Sequence, residues 1–530
     1  MKKLKIVVLF LLAPVLAQAD ILLHSLFVDG MVLQRNSEVP IWGWADPGEA
    51  VAISASWGAN AHAVARADST WRATLQTPDA GGPFQLTVSG ENTLTISDVL
   101  SGEVWLCTGQ SNMDFAMSQF TKDARESQYQ PLVEYMREEI ARANDPWIRH
   151  IEVPRNTALD GKAKNFEGDW VSVNPEQTGQ ITATGYFFAK KLREHLNVPI
   201  GLVECSWGGT RIQPWIPESA YQANPEMKAY FEESRGHTRR ITDSVSVEDF
   251  EDVDFEARFA AWKASDRSKS RPWPRVHPAE DKQLPATLYN GMLSAVIPYH
   301  IAGAIWYQGE SNSHFKEDEH EQYFKTLINS WRSAWGQGDF PFYYMQLANY
   351  ITKDQRSDVG WAMVNDAIRR ALELPNTGMA VLIDIGEGKD VHPHNKMDAG
   401  SRLALWALAN DHQVKVDAVS GPLFEKAKFK KGKAIVSFDH VGAGLMIANK
   451  HLMNPVEEVN EALKHFELAG ADGQWHEAIA VIKGKDKVEV SSPQVPKPAY
   501  VRYAWASNPI GVNLYNREGL PAAVFLSNGK

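Results

Sequence analysis

A chain of 530 residues is too long for one ordinary hydrophobic core, so two or three domains are expected. With 44% hydrophobic and 22% charged residues, the composition is that of a folded globular protein, not a disordered or fibrous one. A net charge of −11, without basic runs, argues against nucleic acid and anionic membrane surfaces as partners.

The chain opens like an export signal. Lys2, Lys3 and Lys5 precede the apolar run Ile6 to Ala17, and Ala17-Gln18-Ala19 supplies a small-x-small cleavage pattern. The run is shorter than the roughly 20 residues of a membrane span. Residues 1–19 are therefore read as a signal peptide, with a periplasmic or extracellular mature chain from Asp20. Residues 20–101 read as a small β-sandwich-like domain. Its alternating runs Val51–Ala55, Trp71–Leu75 and Phe84–Val88 are separated by turn clusters such as Asp46-Pro-Gly48.

From Gly102 the pattern changes. The strand-like runs Val104–Cys107, Leu202–Cys205, Ala302–Tyr307, Phe342–Gln346 and Ala380–Ile385 alternate with amphipathic stretches. These are Tyr186–Leu196, Glu321–Trp335, Val359–Leu374 and Met397–Ala409. The alternation predicts an α/β domain over 102–415, a parallel sheet covered by helices on both faces. A polar segment, 233–285, reads as an insertion, either a partly helical lid or a plain surface excursion. Residues 416–530 return to short β-like runs. Cys107 and Cys205, the two cysteines, lie on strands and are read as buried thiols more readily than as a bridge.

In a parallel sheet ligands bind beyond the carboxyl ends of the strands. Four segments there carry chemistry. Trp105-Leu-Cys-Thr-Gly-Gln-Ser-Asn-Met113 runs from a buried strand into a turn that presents the Ser111 hydroxyl and N–H together. Ser206-Trp-Gly-Gly-Thr210 offers glycine N–H groups for an oxyanion. Trp306-Tyr-Gln-Gly-Glu-Ser-Asn312 offers the amides of Gln308 and Asn312 and the carboxylate of Glu310. Asp390-Val-His-Pro-His-Asn-Lys396 offers His392 as the base that a serine nucleophile needs, with Asp390 or Glu310 to orient it. His394 is read as a bystander, and no metal site or cofactor is expected.

These four segments, in this order, resemble the sialate O-acetylesterase family of the SGNH hydrolases, which is related to acetylxylan esterases. Phe27-Val-Asp-Gly-Met-Val-Leu-Gln34, Leu288-Tyr-Asn-Gly-Met292 and Asn513-Leu-Tyr-Asn-Arg-Glu-Gly-Leu-Pro521 extend the resemblance over nearly the whole mature chain. It implies an SGNH-like, flavodoxin-like sheet flanked by β-rich regions, with Ser111 as nucleophile and His392 as base. It also implies an oxyanion hole from the Ser111 N–H, a Gly208 or Gly209 N–H and a side-chain amide of Gln308 or Asn312. The superfamily's acid usually lies three residues before the histidine, where this chain has Lys389. Asp390 and Glu310 therefore compete, and Glu310 is preferred because its segment is aimed at the site in either case.

The expected substrate is an O-acetylated carbohydrate: acetylated sialic acid first, acetylated plant polysaccharide as the rival. Gln110, Trp207 and Arg211 are the candidate substrate contacts, Arg211 for a sialate carboxylate. Most of the eighteen tryptophans are expected in the core. Two other classes compete. A glycoside hydrolase using Glu310 and Asp390 would leave Ser111 and His392 idle. A non-catalytic carbohydrate-binding protein would leave the whole set idle.

Overall fold

Seven strands carry the centre of the computed structural model, which describes residues 20–265, 272–352 and 355–527. They are β1 (Thr93–Gly109), β2 (Asp145–Glu152), β3 (Val171–Val173), β4 (Ile200–Ser206), β5 (Gly303–Tyr307), β6 (Phe342–Met345) and β7 (Thr377–Ala380). The signal peptide expected at 1–19 lies outside the described residues. The strands pair in the order β3-β2-β4-β1-β5-β6-β7. Every pairing from β2 to β7 is parallel, and β3 closes one edge antiparallel.

Side chains on the two faces of this sheet find different helices. Trp105 meets Phe188, of the helix Ala183–Leu196, edge to face at 4.9 Å. That helix packs along Lys396–Asn410 on the same face. Trp306 points the other way, to Phe324 and Trp331 of the helix His320–Trp335. Helices on both faces bury the strands completely, which is why β4 and β5 are apolar runs without alternation.

β1 shows both regimes within one strand. Its first residues alternate between exposed and covered against Gly81–Ser89, as in a sandwich, and from Val99 onward every residue is buried. The β-domain and the α/β domain thus share a single 17-residue strand across the boundary expected near 101. Cys107 and Cys205 are both free and buried. In the ladder Cys107 lies opposite Glu204 and Cys205 opposite Thr108, so the two thiols face opposite sides of the sheet and no bridge can form.

The C-terminal region is β-rich, with antiparallel ladders such as Leu423–Lys430, Lys433–Asp439, Lys487–Ser491 and Ile479–Lys483. It is bolted to the central sheet where the chain leaves β6. Gln346 Nε2 donates to Val524 O, and Val524 N–H donates back to Gln346 Oε1, both at 3.3 Å. Among the described residues no helix is long and apolar enough to cross a membrane.

Candidate active site

The connection after β1 runs to one side of the sheet and that after β5 to the other, so their carboxyl ends flank a crevice. Gly109 ends β1 with φ +135°, and a Cβ there would stand 2.2 Å from Tyr307 O. Only glycine fits so sharp an exit beside β5. The turn delivers Ser111 to the first position of a short helix, Ser111–Asp114, where N–H groups have no intrahelical acceptor.

Ser111 Oγ lies 2.8 Å from His392 Nε2. The imidazole is held by Phe115, whose ring centroid is 4.4 Å away. Behind it, Asp390 Oδ1 stands 3.5 Å from His392 Nδ1 and accepts the His392 N–H at 3.0 Å. The longer contact is of a kind that tightens when substrate binds. Arg125 pairs with Asp390 Oδ2 at 2.9 Å and donates to Lys389 O at 2.9 Å, pinning the loop from outside. Burial alone would raise the Asp390 carboxyl, but the hydrogen bonds to His392 and the Arg125 charge outweigh it and hold it below the usual carboxylate range.

Glu310 sits differently. Its Oε1 accepts from Asn112 Nδ2 at 2.6 Å, and its Oε2 has no hydrogen-bond partner among the described residues. Burial pushes this carboxyl above its ordinary value, with Asn112, His392 and Lys396 only partly offsetting the shift. The carboxylate in contact with the imidazole is therefore that of Asp390, not of the sequence-preferred Glu310.

Asn112 ties the site together. Beside Ser111, it donates to both Glu310 and Val391 O, the carbonyl preceding His392, and its Oδ1 accepts from Lys396 Nζ. The Lys396 ammonium is wholly buried over the Phe120 and Tyr307 rings, at 4.9 and 5.4 Å. Burial brings it down to about 7 despite the nearby Glu310, Glu387 and Asp390. His394 is braced away from the serine, its N–H and Nδ1 both on Glu387 Oε1.

The Gly208–Gly209 loop borders the nucleophile. A Cβ on Gly208 would stand 3.3 Å from Ser111 Cβ and 3.1 Å from Asp114 Oδ2. The Gly208 N–H donates to Asp114 Oδ2 at 3.1 Å, and Arg155 Nη2 reaches both Asp114 oxygens at 2.9 Å. Lys282 Nζ and Gln283 Nε2 hold the Gly208 and Gly209 carbonyls, each at 2.6 Å. Gly208→Ala is expected to crowd Ser111 and lower kcat by about 10²-fold with little change in KM. Steady-state kinetics on a small acetyl ester check this.

Three expected contacts fall elsewhere. The Gln308 amide spends both donors, on Thr210 O and Asn312 Oδ1. Asn312 spends both of its own on Gln213 Oε1 and Phe315 O. Both side chains are fully buried beneath the 207–213 loop, which they hold through the Ile212 N–H, and neither lines the cleft. Arg211 lays its guanidinium 3.6 Å over the Phe315 ring, also outside the cleft lining. Gln110 does line it, while its Oε1 accepts the Ser311 N–H at 3.2 Å.

The cleft has a volume of about 1600 Å³, with Ser111 and His392 in its floor and Trp207 and Trp262 in its walls. Among the described residues no cluster of His, Cys, Asp and Glu is arranged to hold a metal. Sequence reasoning passed over Asn112 and Lys396, although both sit inside motifs it quoted. Nothing in the sequence signalled Arg125, Asp114, Lys282 or Trp262.

The family model described as "Carbohydrate esterase, sialic acid-specific acetylesterase" matches residues 101–235 and 275–411. The sialate O-acetylesterase of Mus musculus is 28% identical over 485 residues, covering 82% of each chain. The human protein of the same name is 27% identical over 442 residues, covering 77% of this chain and 75% of that one. A crystal structure of a carbohydrate acetylesterase from Xanthomonas citri superposes with a TM-score of 0.76 at 33% identity, covering 96% of this chain and all of the other. The chain belongs to the sialic acid-specific acetylesterase family of carbohydrate esterases and is a carboxylic ester hydrolase.

Proposed function

We propose that the protein is an exported serine esterase that removes O-acetyl groups from carbohydrates through an acetyl-Ser111 intermediate. The observation that carries this reading is the 2.8 Å contact between Ser111 Oγ and His392 Nε2 in the floor of an open cleft. His392 takes the hydroxyl proton as Ser111 attacks the acetyl carbonyl, then returns it to the leaving sugar alcohol. Asp390 stays ionised, orients the imidazole and stabilises its charged form. The oxyanion is met by the Ser111 N–H and by the Gly208 or Gly209 N–H, Gly208 exchanging Asp114 for the developing charge. Each such donor is worth about 10²–10³ in rate. Water then attacks the acetyl-enzyme with His392 again as base, releasing acetate. Ser111, His392, Gly208 and Gly209 all line the cleft.

For substrate, the family description and the mammalian relatives support O-acetylated sialic acid. A longer acetylated polysaccharide is the second reading. The cleft, at about 1600 Å³, favours it, exceeding the roughly 300–1,000 Å³ of a pocket built for one small ligand. Acetate release by residues 20–530 from acetylated sialic acid and from acetylated xylan, run in parallel, separates the two. Preference for the free sialic acid supports the first reading and preference for the polymer the second. Inactivity on both and on p-nitrophenyl acetate would remove the esterase assignment itself.

A further inference from the structure

We propose that Lys396 is a positioning residue for the reaction: its buried ammonium fixes the Asn112 side chain, and through it the seating of the His392 loop against Ser111. The proposal rests on the serine-esterase reading and adds to it the group that holds nucleophile and base in register.

Lys396 opens the helix Lys396–Asn410, just after the loop that carries the base. Asn395 caps that helix, accepting the Asp398 N–H at 3.0 Å, so the backbone that carries the lysine is fixed. The lysine side chain is fully buried and ends on Asn112 Oδ1, in the residue next to the nucleophile. Asn112 is buried as well. With Oδ1 facing the ammonium, its Nδ2 donates to Glu310 Oε1 at 2.6 Å and to Val391 O at 3.0 Å. The Val391 bond joins the turn of the nucleophile to the residue before His392.

An asparagine amide has an acceptor end and a donor end, and an ammonium can only donate. Lys396 therefore admits one orientation of that amide, the one that sends the Nδ2 hydrogens to Glu310 and Val391. Methionine at 396 would leave Oδ1 buried and unpaired, and the amide free to turn toward another donor. Thr184 Oγ1 donates to Asn112 O at 2.7 Å, which holds the backbone of residue 112 and leaves its side chain to Lys396. Asp390 and Arg125 brace the His392 loop from its outer side, and Asn112 braces it from within. An ammonium in this position is unfavourable for the fold, because the Phe120 and Tyr307 rings and the Glu310, Glu387 and Asp390 charges offset its burial only in part. An apolar side chain of the same length would fill the space as well, so the contribution of the lysine lies in the hydrogen bond it delivers to Asn112.

The experiment measures kcat, KM and thermal melts on p-nitrophenyl acetate for wild type, Lys396→Met, Asn112→Ala and the double variant. Lys396→Met should lower kcat about 10- to 100-fold, with KM changed less than about twofold. The double variant should be no slower than Asn112→Ala alone, because the lysine acts through the asparagine. An unchanged kcat, a loss carried by KM, or losses that multiply in the double variant overturns the proposal. Lys396→Met also leaves nearby carboxyl groups without a countercharge, so it is made a second time in a Glu310→Gln background and compared with Glu310→Gln alone. The same kcat loss at an unchanged melting temperature supports the positioning role. A melting temperature that drops with kcat in both backgrounds assigns Lys396 to stability and overturns it. If Ser111→Ala hydrolyses p-nitrophenyl acetate as fast as wild type, the serine reading beneath the proposal fails instead, whatever the lysine variants do.

Discussion

Ser111→Ala is expected to lower kcat for acetate release by about 10⁴-fold or more while leaving the fold intact. In the proposed reaction the hydroxyl bonds to the acetyl group, and among the described residues no other side-chain hydroxyl or thiol is hydrogen-bonded to His392. Both cysteines are sealed in the sheet, with burial pushing their thiols far up. The substitution removes one hydrogen bond, that between Ser111 Oγ and His392 Nε2, in an open cleft that solvent can enter. The stability cost should therefore stay below about 1 kcal/mol. Acetate release together with a thermal melt checks both halves, and a melt that collapses with activity would assign Ser111 a structural role.

The second large effect separates two carboxylates. Asp390→Asn should lower kcat by about 10²–10⁴-fold, because an amide in place of the carboxylate neither fixes the imidazole tautomer nor stabilises the imidazolium. Glu310→Gln should cost less than about tenfold. Burial already biases Glu310 toward its neutral form, and a glutamine carbonyl can still accept from Asn112. Asp390 has the opposite environment, with His392 and Arg125 holding it ionised. The measurement is the pair of kcat values on one acetyl ester. The reverse order, with Glu310→Gln the more damaging, would make Glu310 the orienting acid.

The elements legible in the sequence were those set by strong local patterns. Apolar runs without alternation gave strands buried on both faces, and the rule that ligands meet the carboxyl ends of such strands pointed to the segments holding Ser111, Gly208, Glu310 and His392. The last strand was displaced, expected at Ala380–Ile385 and found at Thr377–Ala380. Val381, Leu382, Ile383 and Ile385 are buried after the ladder has ended, so hydrophobicity alone overran it. Trp105, Trp215 and Trp306 are fully buried, in line with a core role for most tryptophans.

Side-chain direction was not legible. Gln308 and Glu310 are two residues apart on a loop, and one points beneath the 207–213 segment while the other meets Asn112. Composition and spacing carry no record of that choice. Arg211, just after two glycines, lays its guanidinium on the Phe315 ring instead of lining the cleft. The Arg125–Asp390 pair joins positions far apart in sequence through the fold alone, and the cleft's reach to Trp262 depends on how the insertion folds back. What the sequence left open is thus tertiary: which of several suitable groups faces which.

The central claim is that an acetyl group passes through Ser111, and it is tested most directly by trapping that ester. Rapid acid quenching of the enzyme during turnover of p-nitrophenyl acetate, followed by peptide mass spectrometry, should find one acetyl group on the peptide containing Ser111. Neither Ser111→Ala nor His392→Ala should accumulate it. Steady acetate release with no acetylated peptide in wild type, and at an equal rate in Ser111→Ala, would contradict the account and return the chemistry to water activated by another group.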